Sequence, residues 1–139
     1  MNEVVIKTDK LTKRFGDFIA TNEITFEVYK GEIFGFLGPN GAGKTTTVRM
    51  LTSLIRPTSG SARVAGYQVG EDDPEIRRNV GLLTESPGMY ERLSAEKNLR
   101  IFAELYDVPD VNKTVNKYLS LFGLWERRMD VVGSYSKGM

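Results

Sequence analysis

The residues best suited to chemistry form a glycine-rich stretch, Gly38-Pro39-Asn40-Gly41-Ala42-Gly43-Lys44-Thr45. Glycines let the main chain curl so that several N–H groups point inward, and side chains there would obstruct both the curl and a ligand. Such a hollow suits a phosphate group. We expect the Lys44 ammonium to reach the β- and γ-phosphates of a nucleotide and the Thr45 hydroxyl to ligate a Mg²⁺ ion between them. Thr46 would add another amide or hydroxyl.

The spacing of this stretch is the P-loop pattern, in which two glycines five residues apart precede Lys and Thr. The elements around it agree with that interpretation. Ile33 to Leu37 is an unbroken apolar run, which predicts a parallel central strand buried on both faces. Thr45 to Ile55 has apolar residues at helical spacing, and the N-terminus of such a helix carries partial positive charge. A chance surface loop is the alternative, but the order of strand, loop and helix favours nucleotide binding.

The remaining elements divide the chain into two parts. Alternating residues through Ile24, Phe26 and Val28, after a turn at Gly16-Asp17, predict an antiparallel hairpin with one wet face. Further short strands are predicted at Ser61 to Ala65 and at Val80 to Leu83, and Asp73-Pro74 predicts a short helix with Asp73 as its N-cap. Two helical stripes follow, from Ala95 to Tyr106 and from Val111 to Phe122, with Gly123 as C-cap. We therefore expect a mixed sheet lobe over about 1–86 and a small helical lobe over about 87–139.

Composition narrows the classes of function. The chain has 139 residues, 19 Lys+Arg, 18 Asp+Glu, and no His or Cys, which excludes a His or Cys metal site and a thiol nucleophile. With 40% hydrophobic and 27% charged residues it is typical of a globular domain. The charges are evenly spread, so we expect no nucleic-acid partner. No apolar run approaches the roughly 18 residues of a membrane span, and the N-terminus does not have the character of a secretion signal.

Several separate stretches resemble the ATP-binding cassette (ABC) ATPases, and the resemblance covers nearly the whole chain. Leu11-Thr12-Lys13-Arg14-Phe15-Gly16 resembles the segment whose aromatic residue stacks on adenine, which implies that role for Phe15. From position alone, Phe15 would instead be a core residue at a strand end. Gly81-Leu82-Leu83-Thr84-Glu85 resembles the run that ends in the family's glutamine loop near magnesium, with Glu85 in place of glutamine. A carboxylate there would bind magnesium directly or through water, whereas the alternative is an exposed loop acid.

The end of the chain resembles the family's signature motif. Ser134-Tyr135-Ser136-Lys137-Gly138-Met139 carries Lys137 for the first glycine and Met139 for glutamine. The resemblance implies that Ser136 and the Gly138 amide contact the γ-phosphate held by a second ATP-binding subunit. It breaks off at Met139, before the apolar strand with its Asp and Glu (Walker B) and before the histidine switch. We therefore expect an N-terminal portion of a longer ATPase that binds ATP with Mg²⁺ through Lys44 but lacks the carboxylate for turnover.

The fold that the resemblance implies is an α/β P-loop core with an antiparallel β subdomain and a helical subdomain, truncated before the Walker B strand. The function implied is that of the ATP-binding subunit of an exporter, including multidrug types, at the inner face of the cell membrane with a separate transmembrane permease. The missing strand would leave an open sheet edge, through which we expect copies to associate. Two alternatives remain: a soluble ABC ATPase acting on DNA, ribosomes or iron–sulfur assembly, and an inert nucleotide-binding fragment.

Overall fold

The computed structural model describes residues 3–84, 88–136 and 138–139. It divides into two compact units, Met1–Leu82 and Leu83–Met139. The first contains β1 (Val4–Phe15), β2 (Phe18–Tyr29), α1 (Lys44–Leu51), β3 (Ser59–Val64), β4 (Tyr67–Gln68) and α2 (Asp73–Asn79). The second contains α3 (Ala95–Leu105), α4 (Val111–Leu121) and two 3₁₀ turns, Trp125–Arg127 and Val132–Ser134. Within the described residues, no helix has the length and apolar character that a bilayer crossing requires.

The first unit is built on one antiparallel sheet in the order β2-β1-β3-β4. β1 and β2 form the predicted hairpin, closed by Gly16 in the left-handed region (φ 57°) and paired at its end through Phe15 and Phe18. The sheet packs against α1 and α2 around a core that includes the fully buried Leu11, Met50 and Ile76. Burial of this apolar surface is what stabilises the sheet, since an isolated hairpin is only marginally stable in water.

Two predicted strands are not formed. The run from Ile33 to Leu37 and the run from Val80 to Leu83 lie outside any sheet in the described part of the chain. A parallel strand needs a hydrogen-bonded neighbour, and no described residue pairs with either run. Instead, Phe34 and Phe36 pack on Phe26 of β2 with ring centroids 5.0 and 5.3 Å away, while Ile33 and Leu37 are fully exposed. The prediction that this run is buried on both faces is therefore wrong, because only its phenylalanines pack against the sheet.

Helix boundaries follow local chemistry with two corrections. α1 ends at Leu51 rather than at Ile55, because the chain turns at Ser53 (φ 54°). The N-cap of α2 is Asp72, not the predicted Asp73, whose carboxylate instead accepts a hydrogen bond from the Gly70 amide at 2.7 Å.

The second unit confirms the two helical stripes. Ser94 caps α3 by accepting from the Lys97 amide, and Asp110 caps α4 by accepting from the Lys113 amide. Gly123 follows the C-cap of α4 with φ 67°, the left-handed conformation that ends a helix. The two helices pack around a core that contains Ala95, Ala103, Val115 and Leu119.

Candidate nucleotide-binding site

The loop from Gly38 to Gly43 leads directly into α1. Gly41 and Gly43 have φ values of 85° and 82°, a conformation that costs side-chain-bearing residues about 1–2 kcal/mol. The Ala42 amide donates to the Pro39 carbonyl at 3.2 Å, which tightens the turn between them. The loop therefore has the curled backbone that the glycine spacing predicts.

The end of the loop is seated on the sheet. A Cβ atom at position 43 would lie 2.4 Å from the Ala20 carbonyl oxygen and 2.7 Å from the Thr21 methyl carbon, both closer than real Cβ atoms approach. Glycine at this position is thus required for the contact as well as for the backbone angle. The contact fixes where the loop ends and where α1 begins.

The first turn of α1 presents amide groups that bond to no other described residue. Gly43 is the N-cap and has no side chain to cap them, and no acidic residue lies in the first turn. The Thr47 amide and hydroxyl both bond to the Gly43 carbonyl, at 2.8 and 2.9 Å, so regular helix bonding starts only there. The amides before Thr47 have no partner inside the helix and carry its positive dipole end, which suits an anion. This arrangement fits a polyphosphate.

Lys44 lies across the start of the loop. Its Nζ donates to the carbonyl oxygens of Gly38 at 2.8 Å and Pro39 at 2.7 Å. Thr45 is exposed and Thr46 is half-buried, so the Thr45 hydroxyl is accessible to a ligand. One ammonium and one open hydroxyl therefore stand beside the free amides.

The described residues suit magnesium only in company with phosphate. Among them, no group of three or more acidic side chains comes together to hold a metal ion. Mg²⁺ in nucleotide sites takes one or two protein oxygens and completes its shell with phosphates and waters. The Thr45 hydroxyl fits that role, whereas Glu85, the other predicted ligand, lies outside the described residues.

Phe15 stands at the hairpin end nearest this loop. The β1–β2 register places Lys13 opposite Thr21, whose methyl group lies next to position 43 at the end of the loop. Phe15 follows Lys13 by two residues along β1, which places the two Cα atoms roughly 7 Å apart. The Phe15 side chain is 51% exposed, so it is not the core residue that its position alone would suggest. The Phe15 ring is therefore accessible to a ligand.

Ser136 and Gly138 belong to the second unit. Both are exposed and line a cavity of about 1010 Å³ together with apolar side chains of that unit, while Lys137 between them lies outside the described residues. The segment before Ser136 is held in place by backbone bonds: the Val132 amide donates to Leu93 and the Gly133 amide donates to Glu91, each at 2.9 Å.

Comparison with known proteins decides the family. A protein-family profile described as "ABC transporter" matches residues 21–139, most of the chain. The chain belongs to the ABC transporter family.

Curated relatives of this ABC transporter chain carry transport names. It is 43% identical over 124 residues to the probable multidrug ABC transporter ATP-binding protein YbhF of Escherichia coli (strain K12), covering 88% of this chain and 22% of that protein. It is 41% identical over 135 residues to the bacitracin transport ATP-binding protein BcrA of Bacillus licheniformis, covering 97% of this chain and 44% of that protein. The chain thus spans less than half the length of each.

A solved structure agrees in fold. The chain matches a structure titled "Structure of ATP binding subunit of ABC transporter" with a TM-score of 0.81 and 28% sequence identity, over 97% of this chain and 57% of that one. The predicted fold class, an antiparallel β subdomain and helices belonging to an N-terminal ABC ATPase portion, is confirmed.

Sequence reasoning missed two residues of this ABC transporter chain. Lys13 lies with its Nζ 5.1 Å from the Phe15 ring centroid, and alternation along β1, which puts both on one face, was the signal that would have found it. The buried Thr47 donates a hydrogen bond from its hydroxyl to the Gly43 carbonyl. Its position four residues after Gly43 was the sequence signal that would have found this contact.

Proposed function

We propose that the chain binds ATP with Mg²⁺ as the ATP-binding portion of an exporter-type ABC transporter, whose intact protein couples ATP binding and hydrolysis to transport. One observation carries this proposal: a loop with left-handed Gly41 and Gly43 is seated on β2 and opens onto the uncapped start of α1. The names of the relatives, multidrug and bacitracin transport, support an exporter.

Each residue of the loop and of the first turn of α1 has its own role in the proposed site. The backbone amides of the stretch Gly38-Pro39-Asn40-Gly41-Ala42-Gly43 and of α1's first turn hold the phosphates, and the Lys44 ammonium neutralises the β- and γ-phosphates. The Thr45 hydroxyl would ligate Mg²⁺, which when bound would supply positive charge to the phosphates. Thr46 adds a donor at the helix start.

Four other positions complete the proposed site. The ring of Phe15 stacks on the adenine, and Glu85 contacts the metal directly or through water. In a dimer of two ATP-binding subunits, Ser136 and the Gly138 amide contact the γ-phosphate held by the other subunit. The two units then correspond to the sheet lobe and the helical lobe of a nucleotide-binding domain.

We place the intact protein at the inner face of the cell membrane, joined to a transmembrane permease. Met89 and Tyr90 of the second unit support a partner contact, because both expose large apolar side chains, 38% and 54% respectively. We expect the 139 residues alone to bind ATP with little turnover. No residue of the sequence matches the family's water-orienting carboxylate, without which in-line attack on the γ-phosphate is slow.

Titration of ATP with Mg²⁺ into the full 139-residue chain, followed by calorimetry and by phosphate release, tests the proposal. Lys44→Ala should weaken binding at least about tenfold, because it removes a charge-assisted contact to phosphate. Lys117→Ala, an exposed lysine on α4, is the matched control and should bind as the wild type does. Absence of binding heat from the folded wild type, or equal affinities in the two variants, would refute nucleotide binding at this loop. Robust phosphate release would refute the expectation of slow turnover.

Association of copies would use the segment 33–37. Ile33 and Leu37 project fully exposed apolar side chains from a segment that no described strand pairs. Such a run invites pairing with another chain. Sedimentation velocity should show association that the double substitution Ile33→Thr, Leu37→Thr reduces; an unchanged distribution of species would count against this segment.

A further inference from the structure

The side chain of Lys13 is fixed against the ring of Phe15. Its Nζ lies 5.1 Å from the ring centroid and donates a hydrogen bond to the Arg56 carbonyl oxygen at 2.8 Å. We propose that Lys13 is a positioning residue for base stacking, which turns Phe15 into a platform with a single open face for the purine. The inference rests on the proposed function and adds a residue that determines affinity for the base.

Hydrogen bonds to the backbone of β1 fix the place of the carbonyl group to which the Lys13 side chain donates. The segment around Arg56 is tied to β1 by the Thr58 amide, which donates to the Thr12 carbonyl at 2.8 Å. The Arg14 amide in turn donates to the Thr58 hydroxyl at 3.0 Å. The Arg56 carbonyl therefore has a fixed place beside β1, and the half-buried Lys13 side chain is ordered before any ligand arrives. Ordering in advance removes an entropy cost from binding.

A fixed cation has two consequences for the ring. It occupies one face, because an ammonium is attracted to the negative face of the aromatic quadrupole. It also draws electron density toward itself, so the opposite face becomes less negative and stacks better on an electron-rich purine. Phe15 is 51% exposed, which leaves area for that stacking. Lys13 thus acts on the base through Phe15 and not on the phosphates.

A comparison of two ligands tests the inference with the full chain. ATP carries both base and phosphates, whereas tripolyphosphate carries phosphates alone. Lys13→Met keeps the aliphatic stem but removes the charge, and should weaken ATP about two- to fivefold while tripolyphosphate affinity stays the same. Lys13→Arg retains a cation over the ring and should restore ATP affinity. Lys7→Met, on the same strand, is the matched control for the loss of one positive charge and should change neither ligand.

A double-mutant cycle isolates the Lys13–Phe15 coupling. In a Phe15→Leu background, Lys13→Met should cause no further loss of ATP affinity, since the ring through which it acts is gone. Equal weakening of ATP and tripolyphosphate by Lys13→Met would show that the lysine acts on the phosphates or on folding, and would overturn the inference. So would a full effect of Lys13→Met without the Phe15 ring.

The outcomes also separate this inference from the proposed function. If the wild type binds neither ATP nor tripolyphosphate, nucleotide binding itself is wrong. If both bind with Lys44-dependent affinity but Lys13→Met leaves ATP affinity unchanged, only the role of Lys13 is wrong.

Discussion

Replacing Gly43 with alanine should destabilise the first unit far more than the same change at Gly41. Both glycines have left-handed angles, 82° and 85°, so each alanine pays about 1–2 kcal/mol for its backbone conformation. At position 41 a Cβ meets nothing within 4 Å, whereas at 43 it lies 2.4 Å from the Ala20 carbonyl oxygen. That backbone atom cannot rotate away, so a further cost of about 1–3 kcal/mol is expected, as for an overpacked core. The totals are then about 1–2 kcal/mol for Gly41→Ala and about 2–5 kcal/mol for Gly43→Ala.

Urea unfolding followed by far-ultraviolet circular dichroism measures the difference. With a slope near 1 kcal/mol/M for a unit of this size, the Gly43→Ala midpoint should lie about 1 M or more below that of Gly41→Ala. Gly66→Ala is the control for the angle alone, since Gly66 has φ 86°, lies outside the loop and has open space around its Cβ position. Coincident midpoints for Gly43→Ala and Gly41→Ala would mean that the loop is not seated on β2 as described.

Three further predictions concern the rest of the chain. Asn98→Ala should destabilise the second unit by about 2–4 kcal/mol, because it removes two hydrogen bonds of a buried side chain. Asn98 Oδ1 accepts from the Tyr90 amide at 2.8 Å, and Asn98 Nδ2 donates to the Tyr90 carbonyl at 3.1 Å. Leu119→Ala should lower the free energy of unfolding by about 2–5 kcal/mol, since Leu119 is fully buried in the core of the second unit. Unfolding of both variants can be followed by the fluorescence of the single tryptophan. The wild type should have a higher free energy of unfolding than Glu27→Gln above pH 4.5, and this difference should disappear as the pH falls below that value. The Lys7 hydrogen bond, at 2.7 Å, and the Lys7 charge hold the pKa of Glu27 below its ordinary value of 4.5, so folding favours the ionised form.

Exposed positions supply the controls for these predictions. Asn116→Ala and Leu121→Ala on the outer side of α4 should each stay within about 0.5 kcal/mol of the wild type. If either costs as much as its buried counterpart, burial is not the cause. For the pH series, a Glu27→Gln difference that grows on acidification would contradict the sign derived from the Lys7 contact.

Elements stabilised by local bonding were predictable from the sequence. The β1–β2 hairpin follows from alternation and a glycine turn, and α3 and α4 follow from their apolar stripes. Each of these signals acts between residues close in the chain, so the sequence contains the whole of it. The N-cap of α2 was predicted one residue too late, because Asp72 and Asp73 are chemically equivalent candidates in the sequence, and the helix begins at Asp73.

Elements that depend on distant partners were not predictable in the same way. The apolar run from Ile33 to Leu37 has the composition of a buried strand, but a strand exists only where another supplies its hydrogen bonds. Within the described residues the run has no such partner, and its phenylalanines pack on Phe26 instead. Composition reports the preference of a segment for burial and not the presence of the neighbour that buries it.

The candidate site was predictable to the extent that its geometry is carried by glycines. The spacing of Gly38, Gly41 and Gly43 indicated a curled loop, and the left-handed angles at 41 and 43 have that form. The seating of Gly43 on Ala20 joins residues that are distant in the chain, so the sequence alone could not place them together. The contact of Lys13 with Phe15 was within reach, because alternation along β1 puts both side chains on one face. The roles of all the predicted site residues, from Phe15 and Lys44 to Glu85 and Ser136, remain predictions.

Lys44 closes the loop on itself by bonding to two carbonyl oxygens at its beginning. An incoming anion must therefore exchange places with neutral oxygens that already satisfy the ammonium. A solute of low charge density gains little from that exchange, whereas a polyphosphate gains more, because the attraction between opposite charges adds to a hydrogen bond that the ammonium already makes to neutral oxygens. In the proposed function, this exchange would favour a triphosphate over anions of lower charge.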